Sequence, residues 1–152
     1  MANPFPFSGG AILNASDLNS IAEYQTWTPT FSGVTGQPTI SLAVYAEVNE
    51  LVFWSLYIEF DSGDLPLTGS LSCTAPTNTS SAMTYNPMGQ GWIRPAGSTI
   101  YQGTNIAFSN KLFFYCHQVT GSFTSAANVT NTAPTTWTSS GDMWSMGMYR
   151  SA

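Results

Sequence analysis

One histidine, two cysteines and eight acidic side chains make up the chemically reactive groups of this 152-residue chain. His117 follows Cys116 in the run "YCHQV", and with Cys73 the set has the composition of a zinc site. That run alternates as a strand does, and a strand sends neighbouring side chains to opposite faces. Cys116 and His117 are therefore expected on opposite sides of a sheet, unable to share an ion or to act as thiolate and base. Both cysteines sit in apolar strand-like runs and read as buried thiols, a single bridge being the other option. A serine triad would have to use His117, and the chain has no G-x-S-x-G elbow. Glycoside hydrolysis needs two carboxylates across one cleft, and Glu59 with Asp61 or Asp64 is the available pair. These acids lie at a strand end and a turn, where solvated carboxylates are common. "DSGD" at Asp61 to Asp64 reads as a turn, because it lacks the run of oxygen ligands that an EF-hand supplies. No phosphate-binding or dinucleotide fingerprint occurs. The sequence thus predicts no catalytic residue, no metal and no cofactor. Aromatic rings are the other recognition chemistry. Tyr85, Trp92 and Tyr101 lie in the least periodic segment and are the candidate surface for stacking on a glycan; the remaining rings are expected to fill a core or a subunit interface.

The elements that must position these groups follow from composition and period. Charged residues are 7% of the chain, against about 25% in an ordinary soluble domain. Neutral polar groups replace them: Ser, Thr and Asn number 19, 19 and 10. So weakly charged a surface favours association, which suits a protein that works in an assembly. The net charge of −5 includes only three bases, Arg94, Lys111 and Arg150. They cannot neutralise a phosphate track, so no nucleic-acid partner is expected. No apolar run approaches the roughly 18 residues of a membrane span, so no membrane insertion is expected. The start "MANPFPFSGG" has neither a basic region nor a continuous apolar region, so it does not read as a secretory signal.

"NPFPF" reads as an extended arm and "SGG" as a joint. A short helix is expected from Asn14 to about Tyr24. Asn14 is the cap, Asp17 closes a capping box, and Leu13 and Leu18 have the spacing of a hydrophobic staple. Leu18, Ile21 and Ala22 share one face of that helix. From Trp27 the period changes to two. Ile40, Leu42, Val44, Ala46 and Val48 alternate in one strand, and Val52, Trp54, Leu56, Ile58 and Phe60 in the next. A two-residue turn at Asn49-Glu50 would send these two sets to opposite faces. A three-residue loop or bulge, with Asn49 at positive φ, would unite them, and this is the expected arrangement; otherwise the sheet is buried on both faces. Leu71 to Thr74 reads as a short strand. Asn105 to Phe108 and Leu112 to Val119 form a second hairpin around Ser109-Asn110. Trp144, Met146 and Met148 alternate onto one face of the last strand. Residues 85–101 and the segment "TSAANVTNTAPTT" read as irregular. Trp54 and Trp144 are expected in the core. The fold class is all-β, an antiparallel β-sandwich of jelly-roll type with a short N-terminal arm and helix. The division expected is 1–26 for arm and helix and 27–152 for the β domain.

Four blocks resemble a group of small bacteriophage virion proteins, one of them the hairpin around Asn49-Glu50 through Tyr45, Val48 and Val52. "GAILNASDLNSIAEYQTWTPTFSGVT" is similar to that group's opening, through Gly10, Leu13 to Asn19, and Trp27 to Phe31. "GSTIYQGT", Gly97 to Thr104, resembles its mid-domain segment. "TWTSSGDMWSMGMYRSA" resembles its ending through Trp137, Gly141, Asp142, Gly147, Tyr149 and Ala152. The group's Gly-Lys turn is replaced here by Asn49-Glu50. The resemblance implies a compact, homotrimeric β-sandwich built into the virion as a tail fibre, head fibre or decoration protein, without catalytic residues. Phe5, Phe7, Leu13, Leu18, Ile21 and Tyr24 are then the expected attachment and oligomer contacts to other virion proteins such as capsid, portal, adaptor or tail. Tyr85, Trp92 and Tyr101 are the expected contacts to a host cell-surface glycan.

Overall fold

The computed structural model describes residues 23–80, 87–95, 99–120, 123–137 and 140–152. Among these residues there are ten strands and no helix. They are β1 (Gln25–Thr26), β2 (Phe31–Ser32), β3 (Thr39–Val48), β4 (Leu51–Phe60), β5 (Ser72–Thr74), β6 (Pro87–Pro95), β7 (Tyr101–Phe108), β8 (Lys111–Thr120), β9 (Phe123–Asn128) and β10 (Gly141–Arg150). All pairings are antiparallel, and the strands form one curled sheet in the order β1-β3-β4-β10-β6-β7-β8-β5-β2, with β9 also on β8. The expected helix falls almost wholly outside the described residues; Glu23 and Tyr24 are irregular, and Gln25–Thr26, assigned by sequence to the arm, already belong to the sheet.

The core lies on the inner side of the curl. Val52, Trp54, Leu56, Ile58 and Phe60 all point into it and are buried. Leu71, Leu112, Phe114, Val129, Met143 and Tyr149 meet them from other parts of the chain. Cys73 and Cys116 are buried there as free thiols, not bridged. Curling brings strands very close where Gly89 pairs with Gly147. A Cβ on Gly89 would lie 2.1 Å from the Met146 carbonyl oxygen, and one on Gly147 2.5 Å from that of Met88. Only glycine permits this approach.

The two ends of the strand path, β1 and β2, are neighbours in sequence. Residues 25–32 therefore run as a strap from one edge of the curl to the other. The Trp27 amide donates to the Ala43 carbonyl (3.2 Å), and its indole N–H to the Thr74 carbonyl (3.3 Å). Phe31 is buried, and its N–H and C=O are both bound by the Gln37 side chain.

Both hairpins turn in two residues. Asn49 and Glu50 have φ of 50° and 66°, Ser109 and Asn110 of 53° and 62°, the signature of a type I′ turn. Val48 therefore pairs with Leu51, and the three-residue loop expected from the apolar pattern does not form. Twist decides this: a type I′ turn matches the right-handed twist of the flanking strands, and Asn tolerates positive φ. A register shift does occur, but between Ile40 and Leu42 at the far end of the hairpin. The consequence is large. Leu42, Val44, Ala46 and Val48 share a face with Phe53, Ser55 and Tyr57, on the outer side of the curl. Trp144, Met146 and Met148 join that same face through their partners Tyr57, Ser55 and Phe53. Trp144 is accordingly half-buried and not a core residue. β6 and β9 are strands where the sequence read irregular segments.

Candidate functional site

The outer face is organised in rows that cross the strands. At one end Glu59, Asp142 and Arg94 stand side by side on β4, β10 and β6. The next row outward on the same strands is aromatic: Tyr57, Trp144 and Trp92, continued by Gln102 on β7. Ser55, Met146, Gln90 and Thr104 follow, and then Phe53 beside Met148. The face thus passes from charged through aromatic to apolar within three alternations of a strand.

The charged and aromatic rows form a connected cluster. Arg94 Nε donates to Asp142 Oδ1 (2.9 Å), and its Nη2 to Oδ2. The Tyr57 hydroxyl donates to the same Oδ2 (3.1 Å). Arg94 also sits 5.8 Å from the centre of the Trp92 ring, within cation–π range. Tyr57 and Trp92 are tilted neighbours at 6.3 Å between centroids. Burial raises the Tyr57 phenol above its ordinary value, and the hydrogen bond to Asp142 raises it further. The hydrogen bonds to Asp142 likewise raise the Arg94 guanidinium. With both oxygens engaged, Asp142 is a fixed acceptor that orients Tyr57 and Arg94. Glu59, its cross-strand neighbour, is exposed and accepts the Ser41 hydroxyl at 2.8 Å. Tyr57, Glu59, Arg94, Pro95, Ser140 and Asp142 line a depression of about 360 Å³.

A second groove, about 530 Å³, is lined by Trp92 itself. Trp92 and Trp144 form its aromatic wall, and Gln90, Gln102, Thr104 and His117 its polar one. His117 Nε2 and Thr104 Oγ1 are 2.8 Å apart. Trp92 lines only the second of these two hollows, and it meets the first through Tyr57 and Arg94, which line that one. Together they offer flat rings at half-burial and several planar hydrogen-bonding groups. That combination can stack on the C–H face of a sugar ring and bind its hydroxyls.

Of the residues anticipated for this role, Trp92 lies at the centre. Tyr101 does not join it. Its partner on β6 is Ile93, which points into the core, so Tyr101 faces the opposite side from Trp92. Tyr85 lies outside the described residues, as do Phe5, Phe7, Leu13, Leu18 and Ile21. Tyr24 is described, 72% exposed, at the apolar end of the face. The carboxylates anticipated as a pair are not one: Asp64 is buried and binds the Asp61 amide at 3.0 Å, and Asp61 binds the Gly63 amide at 2.6 Å. The acid beside Glu59 is Asp142. No cluster of three metal-binding side chains occurs among the described residues. Cys116 and His117 fall on opposite faces, one buried and one exposed. Burial raises both thiols, Cys73 most, which leaves them unreactive. Tyr57, Arg94, Asp142 and Trp144 were missed as site residues. Counting alternate positions through "QGWIR" and "GDMWSM" would have placed Trp92 with Arg94, and Asp142 with Trp144, on one face of each strand; the pairing of β6 with β10 brings the two together.

No family model, no curated protein and no solved structure matches this chain.

Proposed function

We propose that this protein is a structural component of a bacteriophage virion: a homotrimeric fibre- or spike-type head that contacts a glycan on the host surface through the groove walled by Trp92 and Trp144. The reading joins the sequence resemblance to one observation, the groove on an open sheet face that sets Trp92 and Trp144 against Gln90, Gln102, Thr104 and His117. In this reading the two halves of the curl act as the layers of a small sandwich. The N-terminal arm holds the head to other virion proteins, and no catalysis takes place. The weakly charged surface supports it, since an assembled head needs little charge repulsion to stay dispersed. The engaged state of Asp142 argues against a glycosidase, which needs a carboxyl free to exchange protons with substrate.

The test is binding of the purified chain to host surface polysaccharide and to a glycan array, with Trp92→Ala beside it. Losing one stacking ring costs about 1–1.5 kcal/mol, or roughly tenfold in affinity. No binding by the wild-type chain, with normal adsorption of phage lacking it, defeats the receptor role. It would leave a cement or decoration protein, and antibody labelling of particles would place it on head, collar or tail.

A further inference from the structure

Seven large apolar side chains in the described residues are exposed, and four of them, Tyr24, Phe53, Met146 and Met148, gather on the outer face at the end remote from Arg94. Part of this area is a trough of about 500 Å³ between β4, β10 and β6, lined by Tyr24, Phe53, Met88, Gln90, Met146 and Met148 with no charged side chain. We propose that the trough is the seat of this chain's own N-terminal segment, residues 11–22, with Leu18 and Ile21 covering Phe53, Met146 and Met148.

Three observations name that occupant. The first is where the chain enters. Tyr24 is itself part of the trough's wall, so the residues before it start at the trough. The second is chemistry. Residues 11–22 read "AILNASDLNSIA", with Asp17 the single charge, and their pattern gathers Leu18, Ile21 and Ala22 on one helical face. An uncharged trough floored by two methionines suits such a face, because thioether side chains adapt to irregular apolar partners. The third is reach. Crossing from the β1 edge over β3 and β4 to β10 is three strand spacings, about 14 Å. Ten helical residues span about 15 Å. A tethered segment is present at an effective concentration of order millimolar. A second copy would have to compete with that. The proposal does not rest on the glycan reading, although the trough adjoins the Trp92 groove at Gly89 and Gln90.

The test uses the full-length chain carrying Leu18→Cys with Met148→Cys, under mild oxidation or with a short bismaleimide. Cys73 and Cys116 are buried and do not compete. The expected product is an intramolecular link, monomeric on a denaturing gel at every protein concentration. Linked dimers or trimers would overturn the proposal, because a neighbouring copy would then occupy the trough. Absence of any link would overturn it too. A second variant, Leu18→Asp with Ile21→Asp, keeps the question open to an answer if cysteine pairs perturb the fold. It is expected to raise the fluorescence of a hydrophobic dye well above wild type at unchanged circular dichroism; unchanged dye fluorescence would count against docking.

Discussion

Along β4 two sets of side chains alternate. On one side Val52, Leu56 and Ile58 have no exposed surface, and Trp54 and Phe60 almost none. On the other, Phe53, Ser55, Tyr57 and Glu59 pass from apolar to charged over the same length. The inner set is uniform because it meets one core. The outer set is graded because it divides one open face into an apolar end and a polar, aromatic end. The core and the proposed recognition surface thereby lie on opposite sides of the same strand. A substitution tells the two apart by which quantity it moves.

The largest effect is expected inside. Leu56→Ala removes a fully buried side chain from the centre of the core and should cost about 3 kcal/mol in urea unfolding. Its glycan affinity should be unchanged, whereas Trp92→Ala should show the reverse pattern. If Leu56→Ala alters binding in the folded protein, the two faces are coupled and the division fails. Tyr149→Phe comes next. The Tyr149 hydroxyl donates to the Thr77 carbonyl and accepts from the Thr77 amide, both at 3.0 Å, within buried surroundings. Removing it strands both groups, at about 1–2 kcal/mol in the same assay. An unfolding midpoint equal to wild type would show that solvent reaches Thr77.

A pH titration sharpens the contrast on the outer face. Burial and Asp142 raise the Tyr57 phenol. Its protonated form is thus favoured by folding. The contribution is fully present below the unfolded value of about 10 and is lost as pH rises through the higher folded value. Ultraviolet absorbance should show Tyr57 ionising after ordinary tyrosines, and Asp142→Asn should bring it back toward them. A Tyr57 signal that ignores Asp142→Asn would contradict the hydrogen bond. The smallest effect has the opposite sign. Glu50 occupies φ 66°, a conformation that glycine adopts without strain. Its ion pair with Arg150 is exposed on both sides and contributes little. Glu50→Gly should therefore stabilise the first hairpin by about 0.5–1 kcal/mol. A loss in thermal melting would mean that the Arg150 contact outweighs the backbone strain.

Strand class, both hairpins and the inner alternation of β4 were legible in the sequence, because period two is a local signal. The side that each strand turns outward was not. Val48 and Leu51 are both apolar, so the pattern alone preferred a longer loop that would hide both strands' apolar sets; the twist preference of the turn overrode it. β6 was hidden for a different reason. Its inward positions Gly89 and Gly91 are glycines, so the strand alternates between a large residue and none, which reads as a loop. Trp92 was recognised as a candidate from its irregular neighbourhood. Its partners Tyr57, Asp142 and Trp144 come from strands distant in sequence, and only the β4-β10-β6 pairing unites them.

The strap formed by residues 25–32 also has a mechanical consequence. It fastens both edges of the curl, yet β1 is paired to β3 over only two residues and β2 to β5 over two. Tension applied through the N-terminus would load these short pairings one after the other, peeling β1 before β2. The ten-residue pairing of β4 with β10 is not the first to feel the load. Such a chain would yield in small steps at its fastening while the long central pairings of the curl stay whole.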